Sequence, residues 1–395
     1  MGTQTAFLRD VCSFQNGGTP SKSIQRYFQG NIPWITGADI DSPVVTRARS
    51  FITEDAIENS ATNRVPLGTV LLVTRTSVGK VAVAGVDLCF SQDITALTPN
   101  PSQLFAPYLV HFLRTRETFL ERQARGATIR GVTREVLSNL QIPLPSVQEQ
   151  RRIAAILDKA EELRAKCRTA LVKLETLTQS IFIDLFGDPI INSKKWSRIA
   201  LGDLLRKIDS GRSPICLDRP AQNGEWGVLK LGAVTWCEYN PAENKALPPE
   251  VMPEPELEVK PGDLLFTRKN TYELVAACAL VRSTRPKLLL SDLIFRLHLK
   301  SDSQIDACYL HQLMICPSKR REIQRLASGS AGSMPNISKE RLQTALVEIP
   351  PISLQRNFSG RIAVVERLKL TYRNSLASLD QLFSSLQHRA FRGEL

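Results

Sequence analysis

The sequence predicts a mixed α+β chain: two globular domains joined by two long helices that pair as an antiparallel coiled coil, a tandem repeat about a pseudo-two-fold axis. Three observations predict it. From Gln148 to Phe186 a narrow apolar seam runs along one face, with Ile153, Ala160, Cys167, Leu174 and Ile181 seven residues apart. A second seam of the same alternation starts at Phe358. The stretches before the two seams echo each other, with Gln150 matching Gln355 at an offset of 205, a period of domain duplication and not of a solenoid.

Residues 1–145 read as the first domain. Val70–Val73 and Val81–Ala84 are short apolar runs bounded by Gly68 and Gly79, and Ile94–Leu97 is a third strand candidate. Pro107 suits the first turn of a helix whose apolar positions include Tyr108, Leu109, Phe112, Leu113, Phe119 and Leu120. The basic stretch RGATIRGVTREV follows from Arg125, with Thr133 placed to cap a short helix and Glu135 in its first turn. The strand-like LQIPLP then ends at Pro145.

Residues 146–186 form the first long helix, with Ile156, Leu163, Ala170 and Leu177 filling the intervening seam positions. At about 1.5 Å per residue it spans roughly 50 Å, more than a small domain is wide, so it needs a partner of similar length. The run LFGDP from Leu185 ends it, because glycine permits a left-handed helix end and proline forbids continuation.

Residues 187–351 repeat the first domain. APYLVHFL at Ala106 returns as ACYLHQLM at Ala307, VTREVL at Val132 as ISKERL at Ile337, and GTVLLVTR ending at Arg75 as GDLLFTR ending at Arg268. The second long segment, 352–395, carries Ile362, Val365, Tyr372, Leu376, Leu379, Phe383, Leu386 and Ala390, broken only at Lys369. Antiparallel pairing follows because the second domain starts near the end of one helix and finishes at the start of the other. Two core helices of a larger fold are the alternative reading.

The chain of 395 residues carries 51 Lys and Arg against 39 Asp and Glu, a net +12 spread over all four segments. Such a surplus suits a polyanion met along an extended surface. No apolar run is long enough to span a membrane and the start resembles no secretory leader, so a cytoplasmic place is expected. The eight cysteines stand far apart without a CxxC pair and read as buried free thiols, not metal ligands. Trp34, Trp226 and Trp236 read as core residues. No catalytic motif emerges: SVGKV at Ser77 has Thr74 where a phosphate loop opens on glycine, Asn240 and Pro241 run into Ala242, and the four histidines lack an HExxH frame.

The strand running into QEQRRIAAILDKAEEL at Gln148, the helix end LFGDP, the C-terminal RAFRGEL at Arg389, and NGGTPSK at Asn16 followed by IPWITGADI at Ile32 together give a resemblance. The chain resembles the DNA-specificity (S) subunits of type I restriction-modification systems, over essentially its whole length. The resemblance implies that each globular domain is a target-recognition domain reading one half of a split, asymmetric site on double-stranded DNA. It implies that the helices set the separation and dock modification subunits, two in number, and that the chain itself is not catalytic and holds no cofactor or metal. Adenine methylation with S-adenosylmethionine would lie in those partners, and ATP- and Mg-dependent translocation and cleavage in restriction subunits. The second helix departs from the first, with Leu354 for Glu149 and Gly360 for Ala155, which predicts a later start for it.

Reading DNA needs cations for phosphates and fork or amide donors for base edges. The first domain offers Lys22, Arg75, Lys80, Arg125, Arg130 and Arg134, and the second Arg212, Lys230, Arg268, Lys269, Arg285 and Lys287. Thr128, Ser333 and Asn336 add hydrogen-bonding candidates, and Arg151, Lys159 and Glu162 mark the exposed helix face as the docking candidate. A coiled-coil scaffold with protein-binding ends is the alternative, and it predicts no salt-dependent DNA affinity.

Overall fold

The computed structural model describes residues 4–126, 130–302, 304–329 and 334–395. The chain forms two compact units, one of Met1–Thr169 with Arg373–Leu395 and one of Ala170–Tyr372. Each therefore holds one half of each long helix.

In the first unit a five-stranded sheet runs in the order Cys12–Asn16, Ile94–Pro99, Val70–Val73, Val81–Ala84 and Val44–Val45. All its pairs are antiparallel except the last. The three strands expected from apolar runs are at its centre. A four-stranded sheet, Ser50–Ile52, Ile32–Ile35, Leu88–Phe90 and Asn63–Val65, lies beside it in the chain. The expected helix after Pro107 is two helices, Ala106–Thr115 and Glu117–Gln123. Arg116 interrupts them at φ −99° and ψ 0°, and Phe119 consequently faces solvent at 44 % exposure. Thr133 caps Arg134–Ser138, its hydroxyl accepting from the Val136 amide.

The second unit repeats the plan. Its main sheet, Leu205–Ser210, Ile294–Leu299, Leu264–Thr267 and Cys278–Leu280, is wholly antiparallel. The ladders show that the repeat register differs by one residue from the echo of the letters TR: Ile94 pairs with Val73 and Ile294 with Thr267. Counting without a gap from Gly68 and Gly262, both at positive φ, Arg75 matches Lys269 and Thr74 matches Arg268. A one-residue slip would send every side chain to the opposite face, so the glycine turn and the ladder decide the match.

The long helices run Val147–Phe186 and Ile352–Ala390. The second does not start late. Gly360 lies within it and meets open space, and the helix is anchored before that glycine by Gln355, which is wholly buried. In the first unit Arg164 of the first helix donates to Asp380 of the second at 2.6 Å and lies over the Phe383 ring. In the second unit Phe182 and Phe186 pack on Phe358. In both, the early half of one helix meets the late half of the other, the antiparallel sense.

The seam needs two corrections. Leu163 and Leu177 are 40 % and 44 % exposed, and the intervening positions on the covered face are Leu157, Arg164, Leu171 and Thr178. The heptad admits either flank, and Ala154 and Leu157, packed into the first unit's core with Ile153, select this one. Lys369 does not break the second seam: it is 5 % exposed and its ammonium pairs with Glu366 at 3.1 Å.

All eight cysteines are free, with Cys12, Cys89, Cys167, Cys278 and Cys316 buried and Cys216, Cys237 and Cys308 partly so. Trp34 is core at 4 % exposure, Trp226 is half-buried, and Trp236 is not core at all, being 76 % exposed. It follows the four-residue helix Gly232–Thr235, whose other residues turn inward, and Cys237 at φ +62° turns the chain away after it. No helix among the described residues is long and apolar enough to cross a membrane.

Candidate nucleic-acid interface

In each unit the central strand of the main sheet ends in a basic turn that is laced to the loop preceding a short capped helix. In the first unit the Thr74 and Arg75 amides both donate to the Asp93 carbonyl, at 2.8 and 3.3 Å. The Thr76 amide donates to the Arg130 carbonyl at 3.1 Å, and the Val132 amide to Thr74 at 2.8 Å. Arg125 and Gly131 exchange two backbone hydrogen bonds of 2.9 Å, closing the loop between them. Gly131 makes the approach close: a Cβ there would stand 3.0 Å from Arg75 Cγ and 3.2 Å from the Thr74 carbonyl oxygen, and these neighbours would have to give by a few tenths of an ångström.

This lacing brings Arg75, Arg125 and Arg130 together, all exposed. Arg130 also donates from Nη2 to the carbonyls of Glu121 and Ala124, at the end of the helix Glu117–Gln123, whose negative dipole end attracts a cation. Lys80 stands exposed at the foot of the same turn, its carbonyl accepting from Val73. Arg134 lies over the Phe14 ring at 5.8 Å and reaches the Phe14 carbonyl at 3.4 Å. Lys22 is apart, in a cleft of about 500 Å³ lined by Phe28, Trp34, Ser50, Ser91, Gln92 and Asp93. Asp93 joins the two places, since its carbonyl holds the Arg75 turn.

The second unit builds the same knot. The Arg268 amide donates to Leu293 at 3.1 Å, the Ile337 amide to the Arg268 carbonyl at 2.8 Å, and Ser328 and Asn336 exchange two bonds of 2.9 Å. Lys269 is bridged to Asn336 as Arg75 is to Gly131. Arg268 Nε donates to Asn336 Oδ1 at 3.1 Å while its guanidinium lies 5.1 Å over Phe295. Arg268, Lys269 and Asn336 are therefore gathered. Thr128 and Ser333 lie outside the described residues.

The other cations of this unit stand elsewhere. Arg285 donates to the Glu225 carbonyl at 3.2 Å and Lys287 to that of Gly224 at 2.8 Å, so both hold the turn around Gly224. Arg212 pairs with Glu254 at 2.9 Å and Lys230 with Glu243 at 2.8 Å. Three large apolar side chains stand beside the knot, Trp236, which the sequence reading places in the core, and Tyr272 and Met334, which it overlooks; they are 76 %, 57 % and 51 % exposed. Tyr272 alone carried a signal, as an aromatic inside the polar run RKNTYE.

On the first long helix, Arg151 lies 5.0 Å over the Phe105 ring, and Glu162 pairs with Lys159 at 2.8 Å and Lys166 at 2.5 Å. The hydrogen bonds from Lys159 and Lys166 hold the Glu162 carboxyl down to about 2. This face is a solvated lattice of charge. Among the described residues no group of three or more His, Cys, Asp or Glu is placed to hold a metal ion.

Residues 2–173 match the family model for the type I restriction modification DNA specificity domain. The specificity subunit of the type I restriction enzyme EcoEI of Escherichia coli is 39 % identical over 161 residues, 40 % of this chain and 27 % of that protein. The MjaIX specificity subunit of Methanocaldococcus jannaschii is 29 % identical over 224 residues, 52 % of this chain and 51 % of that one. The chain thus spans about a quarter and a half of these two relatives. In fold it is similar along its length to the S subunit of a type I restriction-modification system from M. genitalium, with a TM-score of 0.66 and 15 % identity over 99 % of this chain and 96 % of that one.

Proposed function

We propose that this chain is a specificity subunit of a type I restriction-modification system and reads an asymmetric split target on double-stranded DNA, one half with each unit. The observation that carries the proposal is the repeated knot. Two units share one backbone lacing but present different side chains on it, Arg75 with Gly131 in one and Lys269 with Asn336 in the other. A shared frame with unlike reading groups suits two unlike half-sites and no palindrome.

The gathered cations, Arg75, Arg125 and Arg130 in the first unit and Arg268 and Lys269 in the second, are assigned to phosphates and guanine edges, and Asn336 to an adenine edge or a phosphate. Lys80 and Arg134 border the first knot, Lys22 lies apart in the cleft that Asp93 shares with it, and all three are assigned outer phosphate contacts. Arg212, Lys230, Arg285 and Lys287 are assigned a supporting role, because they stand away from the knot, Arg212 and Lys230 paired with carboxylates and Arg285 and Lys287 holding the turn around Gly224. Arg151, Lys159 and Glu162 belong to the face assigned to modification subunits.

In this reading the chain acts in the cytoplasm and does no chemistry. Methyl transfer to adenine from S-adenosylmethionine belongs to two docked modification subunits, and ATP- and Mg-dependent cleavage to restriction subunits. The test is co-expression with the cognate modification subunit followed by genome-wide mapping of methylated adenines. One asymmetric split motif is expected, with Arg75→Ala relaxing one half only and Lys269→Ala the other. A palindromic motif, or maps that neither substitution changes, would refute the assignment.

A further inference from the structure

We infer that the second unit meets DNA with an apolar wedge made of Trp236, Tyr272 and Met334, set beside the cations Arg268 and Lys269. The inference rests on the DNA-reading function proposed above and names a surface for one half of the target. The three side chains come from three separate segments, and one buried residue ties those segments together. Asn270, 5 % exposed, donates from Nδ2 to Thr235 Oγ1 at 3.3 Å and from its amide to the Pro335 carbonyl at 3.4 Å. Its Oδ1 accepts from the Thr271 amide at 2.8 Å. Trp236 is the neighbour of Thr235, Met334 of Pro335, and Tyr272 stands two residues beyond Asn270.

Thr235 is itself fixed by donating to the Leu231 carbonyl at 2.8 Å, so the base of Trp236 is rigid. A lone exposed apolar residue needs no explanation, but three large ones carried by one hydrogen-bonded node mark a contact surface. The node is the same one that positions Lys269 and Asn336. Its cations Arg268 and Lys269, joined by Lys339 over the same Phe295 ring and set against Glu238, Glu273 and Glu340 on the adjoining segments, suit an anionic partner that also offers flat apolar faces. Nucleic acid has both, phosphates for the cations and sugar and base faces for aromatic rings and a thioether. Among the described residues of the first unit, the turn after Arg75 runs Thr76, Ser77, Val78, with no aromatic where Tyr272 stands. At that turn the two units differ.

The test uses the full chain in complex with its modification subunit and a labelled duplex carrying the motif mapped for the wild-type complex, titrated at several salt concentrations. Trp236→Ala is expected to weaken binding about tenfold, the scale of one lost aromatic stack, with the slope of log K against log salt unchanged. Trp236→Phe should restore most of the affinity. Lys269→Ala should reduce the slope by about 1. Circular dichroism and thermal melting of each variant, expected to match the wild type, are the control for an intact fold. Wild-type affinity in both Trp236→Ala and Tyr272→Ala, with Lys269→Ala weakened, overturns the wedge while the DNA reading stands. Loss of the modification subunit from Trp236→Ala, with DNA affinity retained, makes the patch a protein-docking surface and also overturns it. A wild-type complex without salt-dependent DNA affinity removes the underlying reading itself.

Discussion

Gln150 and Gln355 hang each long helix on its globular unit. Gln150 accepts from the Phe105 amide at 2.8 Å and donates to the Gln103 and Pro145 carbonyls at 2.8 and 2.9 Å. Gln355 repeats this with the Asp306 amide and the Gln304 and Pro350 carbonyls. Both are wholly buried, so Gln355→Ala strands an amide and two carbonyls away from water. A loss of about 1–3 kcal/mol is expected in denaturant unfolding, and an unchanged midpoint would refute the role. The match of the two glutamines was legible in the repeat, but their task was not, because partners such as Gln103 and Gln304 are distant in sequence. The same holds for Lys319 and Glu348, each 1 % exposed and paired at 3.1 Å. Histidine sets an acid limit. Burial pushes His311 down from 6.5 to about 4, only partly offset by its bond to the Cys237 carbonyl, and burial likewise lowers His111 despite Asp158. Between these values the unfolded chain binds more protons than the folded one, so stability is complete above about pH 6.5 and is lost as pH falls toward 4. Melting temperatures measured across that window should fall, and His311→Gln should flatten the fall.

At the scale of elements, the covered face of the first long helix is open to direct test. Leu157 is wholly buried, whereas Leu163 is 40 % exposed although it sits in the apolar frame read from sequence. Leu157→Ala is expected to cost about 2–5 kcal/mol and Leu163→Ala no more than about 0.5. Equal costs would restore the flank with Leu163 and Leu177. The length and period of both helices were legible because a seven-residue repeat persists over many turns. The flank was not, since leucine on one side competes with Arg164 and Thr178 on the other. Composition favours the leucines, but Arg164 spans Glu161, Asp380 and the Phe383 ring, and Thr178 returns its hydroxyl to the Leu174 carbonyl, so both are partnered when covered. Lys369 reads as a break in the seam for the same reason: its partner Glu366 is local, but its burial is not.

For the whole molecule, the duplicated plan was legible because the strand, cap and helix signals recur in one order. The candidate interface was only half legible. Charge nominated twelve cations, yet the lacing of turn to loop selects Arg75, Arg125, Arg130, Arg268 and Lys269, and backbone hydrogen bonds leave no mark on composition. The helices, continuous over Val147–Phe186 and Ile352–Ala390, give the proposed function its geometric test. If they set the distance between half-sites, lengthening both must lengthen the spacer. A four-residue insertion adds about 6 Å, near two base pairs, but leaves the seam out of step, since four is not a whole heptad. Seven residues inserted beside Thr169 and seven beside Arg373, where the two units divide, keep the alternation of three and four and add about 10 Å. At about 3.4 Å per base pair the methylated motif should then carry a spacer about three base pairs longer, with both half-sites unchanged. Because only the helices are altered, unchanged half-sites with a longer spacer separate measuring from reading. A map with the original spacer would mean that something other than helix length sets the distance, and the helices would keep only their joining and docking roles.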